Sequence, residues 1–293
     1  MRIDAHHHVW SVARGDYGWL ERAPEIIRRD FSLTDLAPFL ARHAIAATIL
    51  VQAAPTLAET RFLLDTARHA DTVAGVVGWA DLFAADAGTV IDGLAGDPLI
   101  VGLRPMIQDL PDDDALLDPL LARSLTAMAR RGLVFDALVL PRHLPRLLVV
   151  ADRHPDLSIV IDHGAKPFIR SGRLDPWRAD IAALAARGNV TCKLSGLVTE
   201  AGPSWSARDL APFVAHLLDC FGPERLIWGS DWPVVHCAGG YDAWMAAADA
   251  LTATIGTAQR QGIFGGNAAR IYLAKRGRRP LPDQQGDDHA EGA

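Results

Sequence analysis

Two imidazoles one residue apart, His6 and His8, follow a short apolar run at the start of the chain. Side chains of a β-strand alternate faces, so this pair projects from one side about 7 Å apart, close enough for both to grip one centre. That spacing points to a metal site or to acid/base chemistry. A tag remnant would be a longer histidine run with no strand-to-loop transition after it. Further apolar runs end in Gln52, in Trp79 and Asp81, in Arg104, in Asp162-His163, in Lys193 and Ser195, and in Ser230-Asp231-Trp232. His6, His8, His163 and Asp231 together make a cage of three nitrogens and one oxygen donor for a single divalent metal, zinc foremost, and the same groups can work without one.

Each of these residues has an ordinary structural alternative. Asp231 either caps a polar turn or, at the end of an apolar run, serves as the general base that takes a proton from water. His163 is either a satisfied core histidine or a site residue; its parity with Ile159 and Ile161 directs it inward if those two face the inside of a barrel. Arg104 and Lys193 either form structural ion pairs with Asp4 or Asp136, or polarise a carbonyl and hold substrate oxygens. Trp10, Trp19, Trp79 and Trp232 are either core or an aromatic wall suited to a sugar face.

The elements that must position these groups are legible as eight β-branched, apolar runs: Arg2 to Ala5, Ala46 to Gln52, Val73 to Trp79, Ile100 to Arg104, Leu133 to Leu138, Ser158 to Asp162, Val190 to Leu194 and Arg225 to Trp228. Helix-period segments lie between them, among them Thr34 to His43, Leu57 to Ala70, Ala115 to Arg131, His143 to Arg153, Pro176 to Arg187 and Ala207 to Phe221. This alternation predicts an α/β fold, a single (β/α)8 TIM barrel, whose strand ends and following loops carry the chemistry. A doubly wound sheet is the competing architecture, but no G-x-G-x-x-G follows the first run. The barrel is expected over residues 1–274, with a polar tail over 275–293. The long segment from Val9 to Ser32, with Trp10, Tyr17 and Trp19, is expected to cover the barrel mouth.

Of the 293 residues, 49% are hydrophobic and 22% charged, the balance of an ordinary globular enzyme. The net charge of -6 includes no basic stripe, which excludes nucleic acid as a natural partner. No apolar run reaches the ~18 residues needed to cross a bilayer, and no secretory signal opens the chain, so a cytoplasmic protein without membrane contact is expected. Cys192, Cys220 and Cys237 are odd in number and lack C-x-x-C spacing, which fits reduced thiols.

Several of the stretches that carry the candidate residues also form a recognisable set: Ile3 to Trp10, Ala74 to Asp81, Val101 to Pro105, Ile161 to Pro167, Lys193 to Gly196, Leu226 to Pro233 and Gly265 to Ala268. In these the chain resembles the amidohydrolase superfamily (amidohydrolase family 2), and within it the sugar-lactonase branch typified by fuconolactonase and rhamnonolactonase. The resemblance implies that His6, His8, His163 and Asp231 form the site and that Asp231 activates the attacking water, and the expected reaction is hydrolysis of an aldono-1,4- or 1,5-lactone; His163 and Arg104 are expected as further catalytic residues, and Trp10, Trp19, Gln52 and Lys193 on the substrate. It implies at most one metal, because the run that ends in Arg104 offers no bridging lysine or glutamate, and it does not make activity conditional on metal. Two other readings stand beside it: a metal-dependent decarboxylase of an aromatic acid, and a catalytically silent barrel that binds a sugar acid. The expected partner is a small sugar lactone, and either a monomer or a homo-oligomer is compatible with the sequence.

Overall fold

A computed structural model of the chain describes residues 1–274. Eight strands form one sheet in chain order: β1 (Arg2–His7), β2 (Ile45–Val51), β3 (Val73–Gly78), β4 (Ile100–Leu103), β5 (Val134–Ala137), β6 (Ile159–Ile161), β7 (Val190–Leu194) and β8 (Leu226–Trp228). Each consecutive pair is parallel. The end of β1 then meets the segment after β8: the His8 amide donates to the Trp232 carbonyl at 2.7 Å, and the Asp231 amide donates to the His6 carbonyl at 2.8 Å. The sheet is thereby closed into the (β/α)8 barrel that the alternation predicts. The tail expected from Lys275 onward lies outside the described residues. No helix among the described residues is long and apolar enough to cross a membrane.

Helices cover the outside of the sheet through one apolar stripe each. In α1 (Leu33–Arg42), Leu36 and Leu40 are one turn apart and buried, and the Ser32 and Asp35 side chains close the first turn as a capping box. The helix-period segment from Ala115 to Arg131 does not form one helix. Asp118 accepts a hydrogen bond from the Leu120 amide and Pro119 occupies the first turn, so the helix runs Pro119–Arg130 after a separate short turn at Asp113–Leu117.

A second, smaller core fills the barrel, with Ile3 and Ala5 from β1, Val51 from β2, Val101 from β4, Val160 from β6 and Ile227 from β8, and Tyr272 from the C-terminal segment packed against them. Register along β1 decides which histidines join that interior. Asp4 pairs with Thr48 and His7 with Leu50, so β1 advances three residues while β2 advances two. This bulge breaks the alternation that begins with Ile3 and Ala5 inside. His6 and His8 turn inward as a result, and His7 points out to the Thr48 hydroxyl at 2.9 Å. Gly229 lets β8 approach closely there, since a Cβ at that position would stand 2.6 Å from the His6 Cβ.

Candidate active site

The carboxylate of Asp231 is the centre of the barrel mouth. Its Oδ1 lies 3.4 Å from Nε2 of His8, 3.7 Å from Nε2 of His6 and 3.9 Å from Nε2 of His163. All four side chains are buried. Asp231 itself has φ of 58°, a left-handed conformation that costs a non-glycine residue energy and is concentrated at functional sites. Burial alone would raise its pKa, but the imidazoles of His163, His8 and His6 outweigh that and hold the carboxyl well below the usual range. It is ionised at neutral pH.

Hydrogen bonding fixes the chemistry of His8. Its Nδ1 lies 2.8 Å from the Val51 carbonyl, which can only accept, so the ring proton sits on Nδ1 and neutral His8 presents a lone pair to the Asp231 carboxylate. Two lone-pair donors facing each other at 3.4 Å require positive charge between them, either a proton or a metal ion. Ligand atoms of His6, His163 and Asp231 also lie within 4.8 Å of one another. The residues thus form a donor set for a divalent metal, with nitrogen and carboxylate ligands of the kind that transition metals take.

His163 reaches this centre by a different route from the one its parity predicts. Ile159 and Ile161 belong to the outer core against the helices, whereas Val160 faces the barrel interior. Simple alternation would therefore turn His163 outward. Instead, residues 163–166 are four successive left-handed residues, with φ of 55°, 57°, 61° and 52°, and this turn swings the imidazole back over the mouth. Its Nδ1 is held at 2.8 Å from the Ser195 hydroxyl. Gly196 makes room, because a Cβ there would lie 2.5 Å from that same nitrogen. Burial lowers the His163 pKa to about 4, so the ring is neutral at pH 7.

Beneath the histidines lies a fully or nearly buried cluster of charge. Arg104 Nη1 is 3.2 Å from Asp162 Oδ2 and 3.3 Å from His6 Nε2, and its Nη2 donates to the Gln52 carbonyl. Gln52 returns its amide to the Arg104 carbonyl at 2.6 Å. Lys193 Nζ sits 2.5 Å from Asp136 Oδ2, 3.0 Å from Asp162 Oδ1 and 3.2 Å from His6 Nδ1. Of these residues only Arg104 lines the cavity above; Gln52 and Lys193 are under it.

That cavity has a volume of about 180 Å³ and holds His8, Arg104, His163 and Asp231 in its wall. It is smaller than the ~300–1,000 Å³ typical of drug-sized ligands and suits a single ring. Trp19 forms part of the wall, pinned by its indole N–H on the Ala53 carbonyl at 2.8 Å. Trp10 stands behind it, edge-on at 5.3 Å between ring centres, fully buried and donating to the Arg29 carbonyl at 2.7 Å. A more open groove of about 820 Å³ adjoins the cavity at Lys166 and carries none of the imidazoles.

The sequence profile of the amidohydrolase family matches residues 3–273. This chain belongs to that family. The amidohydrolase is 49% identical over 295 residues to an L-fucono-1,5-lactonase of Burkholderia ambifaria, covering 99% of each chain. It is 36% identical over 286 residues to an L-fucono-1,5-lactonase of Burkholderia multivorans, covering 93% of this chain and 96% of that one. A crystal structure of a Burkholderia multivorans amidohydrolase with bound zinc superposes with a TM-score of 0.88 at 36% identity, covering 93% of this chain and 99% of that one.

Three features of the amidohydrolase site escape the sequence reading. Lys166 lines the cavity and donates to the Gln108 side-chain carbonyl at 2.7 Å; it stands in the Ile161 to Pro167 stretch, where only the unusual backbone shows that it faces the site. Met106, Leu138 and Val234 supply an apolar side of the cavity from loops with no distinguishing spacing. Glu59 is buried under the first loop, where it accepts from the Tyr17 hydroxyl at 2.5 Å and from the Ala53 amide at 3.1 Å. The pattern Thr56-x-x-Glu59 reads as a capping box, and Thr56 does accept from the Glu59 amide at 3.0 Å, but the carboxylate is turned to the loop.

Proposed function

We propose that this amidohydrolase opens the lactone of a sugar acid to its hydroxy carboxylate, with L-fucono-1,5-lactone as the first substrate to assay. The observation that carries the reading is an ionised, buried carboxylate ringed by three imidazoles on the floor of a cavity that also contains Arg104. The L-fucono-1,5-lactonases that match nearly the whole chain support the same substrate class.

In this mechanism Asp231 accepts a proton from water, and the hydroxide so formed adds to the lactone carbonyl carbon. The guanidinium of Arg104 faces the developing oxyanion, where positive charge in a buried site lowers the barrier most. Collapse of the tetrahedral intermediate breaks the bond to the ring oxygen, which takes the proton back from Asp231. The product leaves as the carboxylate and one proton enters solution. A single divalent metal, zinc foremost, would be held by His6, His8, His163 and Asp231, and its charge would acidify water and polarise a carbonyl. Trp19 and the apolar side of the cavity would pack against the carbons of the ring.

An aromatic-acid decarboxylase and a silent binding barrel are not favoured, since the curated lactonases align with this chain end to end. A pH-stat assay separates the three. Proton release from L-fucono-1,5-lactone well above its spontaneous rate is expected, with none of the proton uptake that decarboxylation would give. A panel of aldonolactones hydrolysed no faster than in buffer would overturn the reading.

A further inference from the structure

We propose that Glu59 is a positioning residue for substrate selection, one that acts through Trp19. The loop that carries Trp19 to the cavity wall forms only short helical turns between Val12 and Ile27, so side chains must fix it in place. The Trp19 indole N–H donates to the Ala53 carbonyl at 2.8 Å. Ala53 stands two residues past the end of β2, and its own amide donates to Oε1 of Glu59 at 3.1 Å. The other carboxylate oxygen, Oε2, accepts from the hydroxyl of Tyr17 at 2.5 Å, two residues before Trp19. Glu59 thus grips both sides of the connection: the main chain on which the indole rests and the loop from which it hangs.

Helix capping does not account for this carboxylate. Glu59 lies in the first turn of α2 (Leu57–Arg68), but the Thr56 amide that a capping box would satisfy donates instead to the Ala54 carbonyl at 2.9 Å. The side chain is fully buried, which costs a carboxylate stability, and the Arg14 guanidinium offsets it only from 3.5 Å. A neighbouring tie runs the same way, since Asp16 accepts from the Thr56 hydroxyl at 2.9 Å and from Arg14 at 2.7 Å. Asp16, Tyr17 and Trp19 are therefore each bonded to the segment from Ala53 to Glu59, with the Glu59 carboxylate at the centre of the seam. Loss of that carboxylate leaves the Ala53 amide and the Tyr17 hydroxyl without their acceptor in a buried place, and the support of the indole shifts. The effect falls on binding and on the choice among epimers, not on proton transfer at Asp231.

The part that Trp19 plays at the substrate rests on the lactonase reading, whereas the hold of Glu59 on the indole is measured without lactone, so the two can fail separately. Glu59→Met keeps the length of the side chain and removes both acceptors; Glu59→Gln can still accept from Ala53 and donate to the Tyr17 oxygen. Hydrogen exchange of the Trp19 indole proton, identified by NMR as the signal missing in Trp19→Phe, is expected to be at least ~10-fold faster in Glu59→Met and close to wild type in Glu59→Gln. Tyr17→Phe, which removes one of the two bonds, should quicken exchange in the same direction. With aldonolactones, Glu59→Met is expected to raise KM ~5- to 10-fold with kcat within ~2-fold, and to reorder the panel as Trp19→Ala does. Adding Glu59→Met to Trp19→Ala should change neither KM nor the order further. Unchanged exchange in Glu59→Met and Tyr17→Phe, a glutamine that restores nothing that methionine loses, or an equal effect of Glu59→Met with and without Trp19 would overturn the proposal.

Discussion

His8 Nε2 stands 3.4 Å from Asp231 Oδ1 while its other nitrogen is committed to the Val51 carbonyl, so the imidazole can serve the carboxylate only through a shared positive charge. This relationship makes Asp231 an acceptor that is ionised yet not free to wander. Replacement of Asp231 by asparagine keeps the shape and the main-chain bonds that close the barrel. Turnover of the preferred lactone is expected to fall at least ~10²-fold with the melting temperature nearly unchanged. Steady-state rates beside a thermal melt check it, and a variant that retains most of its activity removes Asp231 as the base.

Arg104 has two occupations at once. It lines the cavity, and it neutralises Asp162 at 3.2 Å. Arg104→Met should therefore lower kcat/KM by ~10²-fold or more and also destabilise the fold by about 3–5 kcal/mol, the usual effect of leaving one buried charge unpaired. The paired change Arg104→Met, Asp162→Asn separates the two. Stability is expected to return in that variant and activity is not. Recovery of both would place Arg104 outside the chemistry.

The two tryptophans of the first loop are expected to behave differently. Trp19 faces the cavity, so Trp19→Ala should change the order in which a panel of aldonolactones is hydrolysed, because the loss falls on those epimers whose carbons touch the indole. Trp10→Phe removes only the bond to the Arg29 carbonyl and some packing, so it should lower the melting temperature and leave the ranking alone. An unchanged ranking for Trp19→Ala would show that the substrate sits elsewhere in the mouth.

Glu59 gives a pH signature of its own. Burial pushes its pKa from 4.5 up to about 7, so the folded chain keeps a proton that the unfolded chain releases between those values. The stabilisation that this proton confers is complete at the acid end and is lost as pH rises through about 7. Relative to Glu59→Gln, which cannot ionise, the wild type is expected to gain melting temperature as pH falls from 8 to 5. A constant difference across that range would mean that Glu59 titrates like an exposed carboxylate.

Strand positions were readable because each run buries both faces and stops at a polar residue; the predicted Val190 to Leu194 coincides with β7, and Arg2 to Ala5 falls short of β1 by two residues. Depth was not readable. Gln52 and Lys193 end strands as Arg104 does, yet only Arg104 reaches the cavity, because residues on one face lie in successive layers along the barrel axis. Irregular backbone was the other limit. The bulge in β1 and the left-handed turn at 163–166 reverse faces that alternation assigns, and neither has a glycine pattern specific enough to announce it. The contacts of Glu59 with Tyr17 and Ala53 depend on how the first loop folds back, which local spacing does not encode.

The two hydrogen bonds that join the end of β1 to the segment after β8 belong to the peptide units of His6, His8, Asp231 and Trp232. Completing the barrel and assembling the acid/base centre are consequently a single event. During synthesis the imidazoles of β1 emerge first and the carboxylate that answers them emerges last. A chain interrupted before β8 has two open sheet edges and histidines without their base. Turnover thus reports that the first and last strands have met, and a gene divided between them yields two halves that are each silent and recover hydrolysis only by coming together.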